Sequence, residues 1–193
     1  MITVVLLAAG RSSRTSVLKQ LYPINGEYLI NVQVRKLHAY GYDVAVVLGH
    51  EYEKISTLLD KSVTTVHNEN YEEGMFSSVK KAFNMLNAEQ LIFCHIDRPI
   101  PDLAVFEALL ENGKEIAVAF YQGKKAPPVR IRSSMKNSLL NSSVKRLDHW
   151  IAEEEGNVAY VEVDDPKVHY NANTDEALKK YTCFFNFNKN RYT

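Results

Sequence analysis

Residues Thr3 to Gln20 read TVVLLAAGRSSRTSVLKQ, and the rest of the chain can be interpreted outward from this stretch. Thr3–Leu7 is apolar and β-branched and is bounded by small and polar residues, the pattern of a short strand covered on both faces. It runs out through Ala8, Ala9 and Gly10 into a polar loop carrying three cations, Arg11, Arg14 and Lys19. Small residues let main-chain N–H groups approach a ligand. Gly10, lacking a Cβ, is free to take unusual backbone angles and to admit a phosphate. Arginine then offers a planar fork and lysine a point charge to phosphate oxygens. The stretch reads as a triphosphate-binding loop, with an ordinary basic strand exit as the alternative. The glycine patterns of dinucleotide sites and of P-loops are both absent, which excludes a standard site of either kind.

The chain has 193 residues, enough for one unit with a real core and no need of disulfides or a structural metal. Lys plus Arg and Asp plus Glu both number 23, so there is no basic excess of the kind a nucleic acid or an anionic membrane selects. Cys94 and Cys183 lie far apart and make neither a disulfide framework nor a zinc site. The N-terminus enters a strand directly, and no apolar run reaches the roughly 18 residues of a spanning helix, so a cytoplasmic location is the expectation.

Apolar strands alternate with amphipathic helices along the chain. Strands are expected at Thr3–Leu7, Asp43–Leu48, Val63–Val66, Gln90–Ile96, Glu115–Tyr121, Val129–Arg132 and Val158–Val163. Helices are expected at Tyr28–Tyr40, Tyr52–Leu59, Gly74–Leu86, Leu103–Leu110, Ser134–Leu140, Val144–Ala152 and Asp175–Tyr181. Gly41 reads as a helix stop, and Asp102 and Thr174 as caps. The alternation predicts a mostly parallel twisted sheet with helices on both faces, an α/β three-layer sandwich whose ligands sit beyond the carboxyl ends of the strands. Gly10, Gly49, Asn68 and Asp97 all fall just past strand ends, which places them at one edge and in one expected site. Asp97 reads either as a Mg²⁺ ligand or as the cap of the next turn. His95, two residues earlier, shares its face and reads as a second metal ligand or, more readily, as a buried core histidine with its hydrogen bonds satisfied.

Several motifs resemble the MobA-like nucleotidyltransferases. The run L-A-A-G-R-S-S-R…K is similar to that family's opening L-A-A-G-x-S-x-R-x-G-x-x-K, with Leu7, Ala8, Ala9, Gly10, Ser12, Arg14 and Lys19 in register and Ser16 in place of a glycine. H-I-D-R-P resembles G-D-x-P, with Ile96 in the glycine position before Asp97. Asn68–Val79, NENYEEGMFSSV, resembles N-x-x-[WY]-x-x-G-M-x-S-S, in the form of the CTP-using, molybdenum cofactor cytidylyltransferase-like branch. N-A-N-T-D-E-A-L, from Asn171, is similar to D-[IV]-[DN]-T-P-E-D-L. Ala126–Val129 corresponds to G-[HN]-P-V, and Asn141–Arg146 loosely to G-D-x-G-A-R, whose glycines and acid are missing here.

The resemblance implies a Rossmann-like nucleotidyltransferase fold, the one shared with nucleotide-diphospho-sugar transferases. It implies one domain over 1–193, with a nucleotide-binding half to about residue 100, an acceptor half from 101 to 182 and a tail from 183 to 193. It also implies Mg²⁺-dependent transfer of a nucleoside monophosphate from an NTP, CTP favoured over GTP, to a phosphorylated small acceptor such as molybdopterin. Neither a nucleic acid nor a membrane is an expected partner. Arg14, Lys19 and Asp97 would be catalytic, and Asp97 and Asn173 would hold the metal. Leu7, Ala8, Ala9, Gly10, Arg11, Ser12, Asn68, Gly74 and Ser78 would bind the nucleotide. A non-catalytic nucleotide-binding relative stays open as the other reading. A glycosyltransferase is disfavoured, because H-I-D-R-P lacks the leading acid of D-x-D. Three phenylalanines in the tail read as packing on the body or on a second subunit.

Overall fold

A computed structural model describes residues 1–186. The chain opens with β1 (Ile2–Leu7) and, after the polar loop, makes a small hairpin of β2 (Pro23–Ile24) and β3 (Glu27–Tyr28) that the periodicity did not announce. Helix α1 (Leu29–Ala39) therefore begins one residue later than expected. It stops where Gly41 takes φ +84°. The Gly41 N–H donates to the His38 carbonyl at 2.9 Å and the Tyr42 N–H to the Leu37 carbonyl at 3.4 Å. That pair of bonds closes the open carbonyls of a helix end and needs a residue at ease in the left-handed region.

β4 (Asp43–Leu48), α2 (Tyr52–Ser56), β5 (Thr64–His67), α3 (Met75–Met85), β6 (Gln90–His95) and α4 (Leu103–Glu111) follow close to their expected places. Asp102 stands at the N-terminus of α4 but makes no cap with its side chain there; its carboxylate accepts instead from Lys167 Nζ at 2.5 Å. Competition from a nearby ammonium outweighs the local cap.

β7 (Ile116–Tyr121) turns through Gln122 and Gly123, both at positive φ, directly into β8 (Lys124–Arg132). Two such residues make the turn that matches strand twist in a hairpin. β8 is far longer than the expected Val129–Arg132, and Pro127 and Pro128 do not interrupt it. The register with β7 jumps from Val118↔Val129 to Ala119↔Ala126, so both prolines fall in a bulge where the ladder asks for no N–H. Then come α5 (Lys136–Asn141), α6 (Leu147–Glu153), β9 (Val158–Glu162), α7 (Asp175–Tyr181) and α8 (Cys183–Asn186). Thr174 caps α7 as expected, accepting from the Ala177 N–H.

The seven long strands form one sheet in the order β5-β4-β1-β6-β8-β7-β9, in which β8 alone runs against the others. Period-2 alternation splits β1 between two cores. Val4, Leu6 and Ala8 pack with α1 and α7 on one face, and Val5, Leu7 and Ala9 pack with α3 and α6 on the other. β1 lies between β4 and β6 at the middle of the sheet, so its loop opens at the crevice where open α/β sheets place ligands. In the tail, Phe184 packs edge-on against Tyr170 at 4.7 Å between centroids and Phe185 against Tyr181 at 5.3 Å. Phe187, the third phenylalanine of that reading, lies outside the described residues. No helix among the described residues is long and apolar enough to cross a membrane.

Candidate active site beyond the ends of β1 and β6

A cleft of about 350 Å³ opens where β1 and β6 end, and its wall includes Gly10, Arg14, Lys19, Ser78, Asp97 and Asn173. Strand alternation decides which loop residues face it. Leu7 and Ala9 do, whereas Ala8 points to the opposite layer and is buried away from the cleft. Ala8 takes part only through its main chain, its carbonyl accepting from Gln20 Nε2 at 2.6 Å. Gly10 does not use left-handed backbone angles, contrary to the expectation from its type. A Cβ built there would meet nothing within 4 Å. Glycine at this point keeps space open beside the cleft. The strained position is Ser12, at φ +55°.

Side chains brace the loop. Ser12 Oγ accepts from the Lys19 N–H at 2.9 Å and donates to Gln20 Oε1 at 3.3 Å, and Gln20 Nε2 also donates to the Gly10 carbonyl at 3.0 Å. Gln20 is buried and satisfies carbonyls that no strand pairs, which shapes the loop before any ligand arrives. Sequence reasoning passed over it; the available signal was a polar residue following a lysine at the point where the chain returns to an apolar run.

The three cations differ in what they are free to do. Arg11 is exposed, ion-paired with Glu72 and set over the Tyr71 ring at 5.6 Å. Arg14 is exposed on the cleft wall, and no described residue pairs with its guanidinium. Lys19 is buried, with Nζ 3.8 Å from Asp97 Oδ2 and hydrogen-bonded to Asn173 Oδ1. Burial lowers the Lys19 pKa below the ordinary lysine range, Asp97 opposes that shift and Arg14 adds to it.

At the far wall His95 and Asp97 face the cleft together, as their spacing requires. His95 is not the hydrogen-bonded core histidine of the sequence reading, since no described residue hydrogen-bonds its ring. Burial pulls its pKa down to about 4 against the Asp97 carboxylate, with Arg98 adding to the fall, and the imidazole is neutral at pH 7. Arg98 itself turns away and donates to the Val168 carbonyl at 2.9 Å.

The segment before α3 divides likewise. Gly74, at φ +101°, and Ser78 reach the cleft. Asn68 does not line it. It is buried, and its Nδ2 donates to Ser77 Oγ and Ser78 Oγ, both at 2.9 Å, so it holds the wall from behind. Gly49 is also outside the cleft. A Cβ there would stand 2.5 Å from Tyr71 Cβ, so this glycine lets Tyr71 close down beside the loop. Tyr71 and Met75, neither of them among the expected nucleotide-binding residues, both line the cleft, and Met75, which the helix period puts on the buried stripe of α3, is exposed there.

The MobA-like NTP transferase domain family matches this chain over residues 4–160. The chain belongs to that family. Among curated relatives, the molybdenum cofactor cytidylyltransferase of Escherichia coli K12 is 20% identical over 173 residues, spanning 84% of this chain and 90% of the relative. A nucleotidyl transferase from Methanothermobacter thermautotroptrophicus superposes with a TM-score of 0.82 at 21% identity, covering 96% of this chain and 97% of that one. A Mycobacterium tuberculosis H37Rv protein solved in complex with manganese gives a TM-score of 0.71 at 20% identity, covering 93% and 96%.

As a member of the MobA-like NTP transferases the protein is a nucleotidyltransferase, and its cleft can be tested for what such a reaction asks. Among the described residues Asp97 presents the one carboxylate of the cleft wall, beside Lys19. No group of three His, Cys, Asp or Glu side chains able to share a metal occurs among the described residues. The side-chain oxygen of Asn173 is already engaged by Lys19. This donor set fits a hard divalent cation that draws most of its shell from phosphate oxygens and water, as Mg²⁺ commonly does. Ser16, in the family's glycine position, is tied down by its main-chain N–H, which donates to Asp175 Oδ1 at 2.9 Å. The loops equated with the acceptor segments frame two further hollows. Pro127 and Pro128 meet His95 and Arg98 in a small one, and Ser142–Lys145 faces Lys80 and Glu73 in another of about 610 Å³.

Proposed function

We propose that this protein transfers a cytidylyl group from CTP to a phosphate of a small acceptor of the molybdopterin kind and releases pyrophosphate. The observation that carries the reading is the meeting of Lys19 and Asp97, from opposite walls, in one cleft under a preshaped loop. An acceptor phosphate oxygen attacks the α-phosphorus, the bond to the bridging oxygen breaks, and the electron pair leaves on pyrophosphate. Above its second pKa the attacking phosphate carries no proton to remove, so no protein nucleophile or base is required. Main-chain N–H groups near Gly10 hold the triphosphate. Lys19 and Arg14 neutralise the charge that builds on the departing pyrophosphate, and the burial of Lys19 strengthens that interaction. Arg11 can join them by exchanging Glu72 for a phosphate. Ser78 and the main chain at Gly74 face the base or ribose.

Asp97 would hold a Mg²⁺ ion, which when bound supplies further neutralisation of the phosphates. The cytidine preference draws on the G-M-x-S-S segment and on the Escherichia coli relative, and the divalent cation on the manganese complex of the Mycobacterium tuberculosis protein. Pyrophosphate release measured with Mg²⁺, molybdopterin and each NTP in turn should be fastest with CTP. Nucleotide binding without release under all of these conditions would overturn the reading in favour of a protein that only binds nucleotides.

A further inference from the structure

The segment that leads into α7 crosses from the end of β6 to the phosphate loop. Its main chain is pinned at one side, where the Ala172 N–H donates to the Asp97 carbonyl at 2.8 Å and Ala172 is fully buried. At the other side the Thr174 hydroxyl caps α7. Between these anchors two side chains reach the loop, Asp175 to the Ser16 N–H at 2.9 Å and Asn173 to the Lys19 ammonium. A buried ammonium has three donors to satisfy, and Asp97 at 3.8 Å stands beyond hydrogen-bond length. Asn173 therefore supplies the acceptor within hydrogen-bond reach, through the same oxygen that a metal would need.

We infer that Asn173 is a positioning residue for Lys19, holding its ammonium at the cleft, and is not a ligand of the divalent cation. The inference rests on the proposed phosphate site and changes who does what within it. Asp97 is left as the single protein carboxylate for the metal, so the cation arrives with the polyphosphate. Lys19 is aimed before the polyphosphate binds.

The test uses tripolyphosphate as the probe, titrated calorimetrically into the whole protein once in EDTA and once with Mn²⁺. Asn173→Ala should weaken metal-free binding by about tenfold or more, the typical loss of a hydrogen bond to a charged group, and should keep the wild-type gain in affinity on adding Mn²⁺. Asp97→Asn should show the reverse, with metal-free binding retained and the Mn²⁺ gain lost. Loss of that gain in Asn173→Ala, with or without weaker metal-free binding, overturns the inference. A second readout does not need a polyphosphate site at all: the rate of acetylation at Lys19, followed by mass spectrometry. It should rise severalfold in Asn173→Ala and stay at or below the wild-type rate in Asn173→Asp, whose carboxylate keeps an oxygen acceptor and favours the charged ammonium, and which also serves should the alanine variant fold poorly. An unchanged rate in Asn173→Ala, or a raised one in Asn173→Asp, overturns the inference. Wild-type protein that binds no tripolyphosphate under either condition would sink the functional reading, while the acetylation rates would still decide the role of Asn173.

Discussion

Lys19 enters the cleft with 7% of its surface exposed, and that burial makes its charge effective. In the low-dielectric setting an ammonium facing a departing pyrophosphate acts far more strongly than one in water. Replacing Lys19 by Ala, or Asp97 by Ala, is expected to cut turnover by about 10²-fold or more, as loss of one electrostatic stabiliser commonly does; steady-state pyrophosphate release checks it. His95 gives a pH dependence of stability whose sign follows from its environment. Its pKa is about 4 in the folded protein against an ordinary 6.5, so the unfolded chain binds the extra proton between those values. The stability contributed by this group is therefore fully present above pH 6.5 and is lost as the pH falls toward 4. Urea unfolding of wild type and His95→Gln at pH 7 and pH 5 should show the variant losing less stability than wild type on acidification, and an equal loss in both would refute it.

At the scale of elements, the end of α4 depends on a residue that carries no motif. Arg130, on β8, is fully buried and donates to the carbonyls of Leu109, Asn112, Lys114 and Glu115, which gathers the last turn of α4 and the chain leaving it onto one guanidinium. Among the described residues no carboxylate makes an ion pair with it. The helix end provides the negative pole, and burial draws its pKa down to about 10. Arg130→Met should fill the volume and still leave those carbonyls without partners. A destabilisation of about 3 kcal/mol in urea unfolding is expected, with the midpoint shifted and the slope retained. In the sequence Arg130 alternates with Val129 and Ile131 as an outward residue of an exposed edge would, and nothing local separates it from a surface arginine. Only the packing of α4 and the chain leaving it across that face of the sheet puts it inside.

Across the whole molecule equal numbers of acidic and basic residues leave the chain without net charge and with an isoelectric point near pH 7.0. The cations of the cleft are local, balanced elsewhere on the surface. Colloidal repulsion is then weakest near neutrality. Solubility should pass through a minimum close to pH 7 and rise on either side, a profile that turbidity across pH 5 to 9 would reveal.

Local chemistry along the chain was enough for the class of the fold and for the address of the cleft. A strand followed by a small-residue loop, with an acid at a later strand end, repeats physics that acts within a few residues: alternation, helix period, and the angles that glycine permits. Gly41 ended α1 and Thr174 capped α7 where those rules put them. What the tertiary structure decided was which polar groups are already engaged. Arg11 is paired with Glu72, Asn68 is turned behind the wall, Asp102 is taken by Lys167, and Asn173 faces Lys19 from 154 positions away. A polar side chain takes the strongest partner that folding brings within about 3 Å. Partners so distant in the chain leave no period or motif behind, so that choice becomes visible only when the strands are laid side by side.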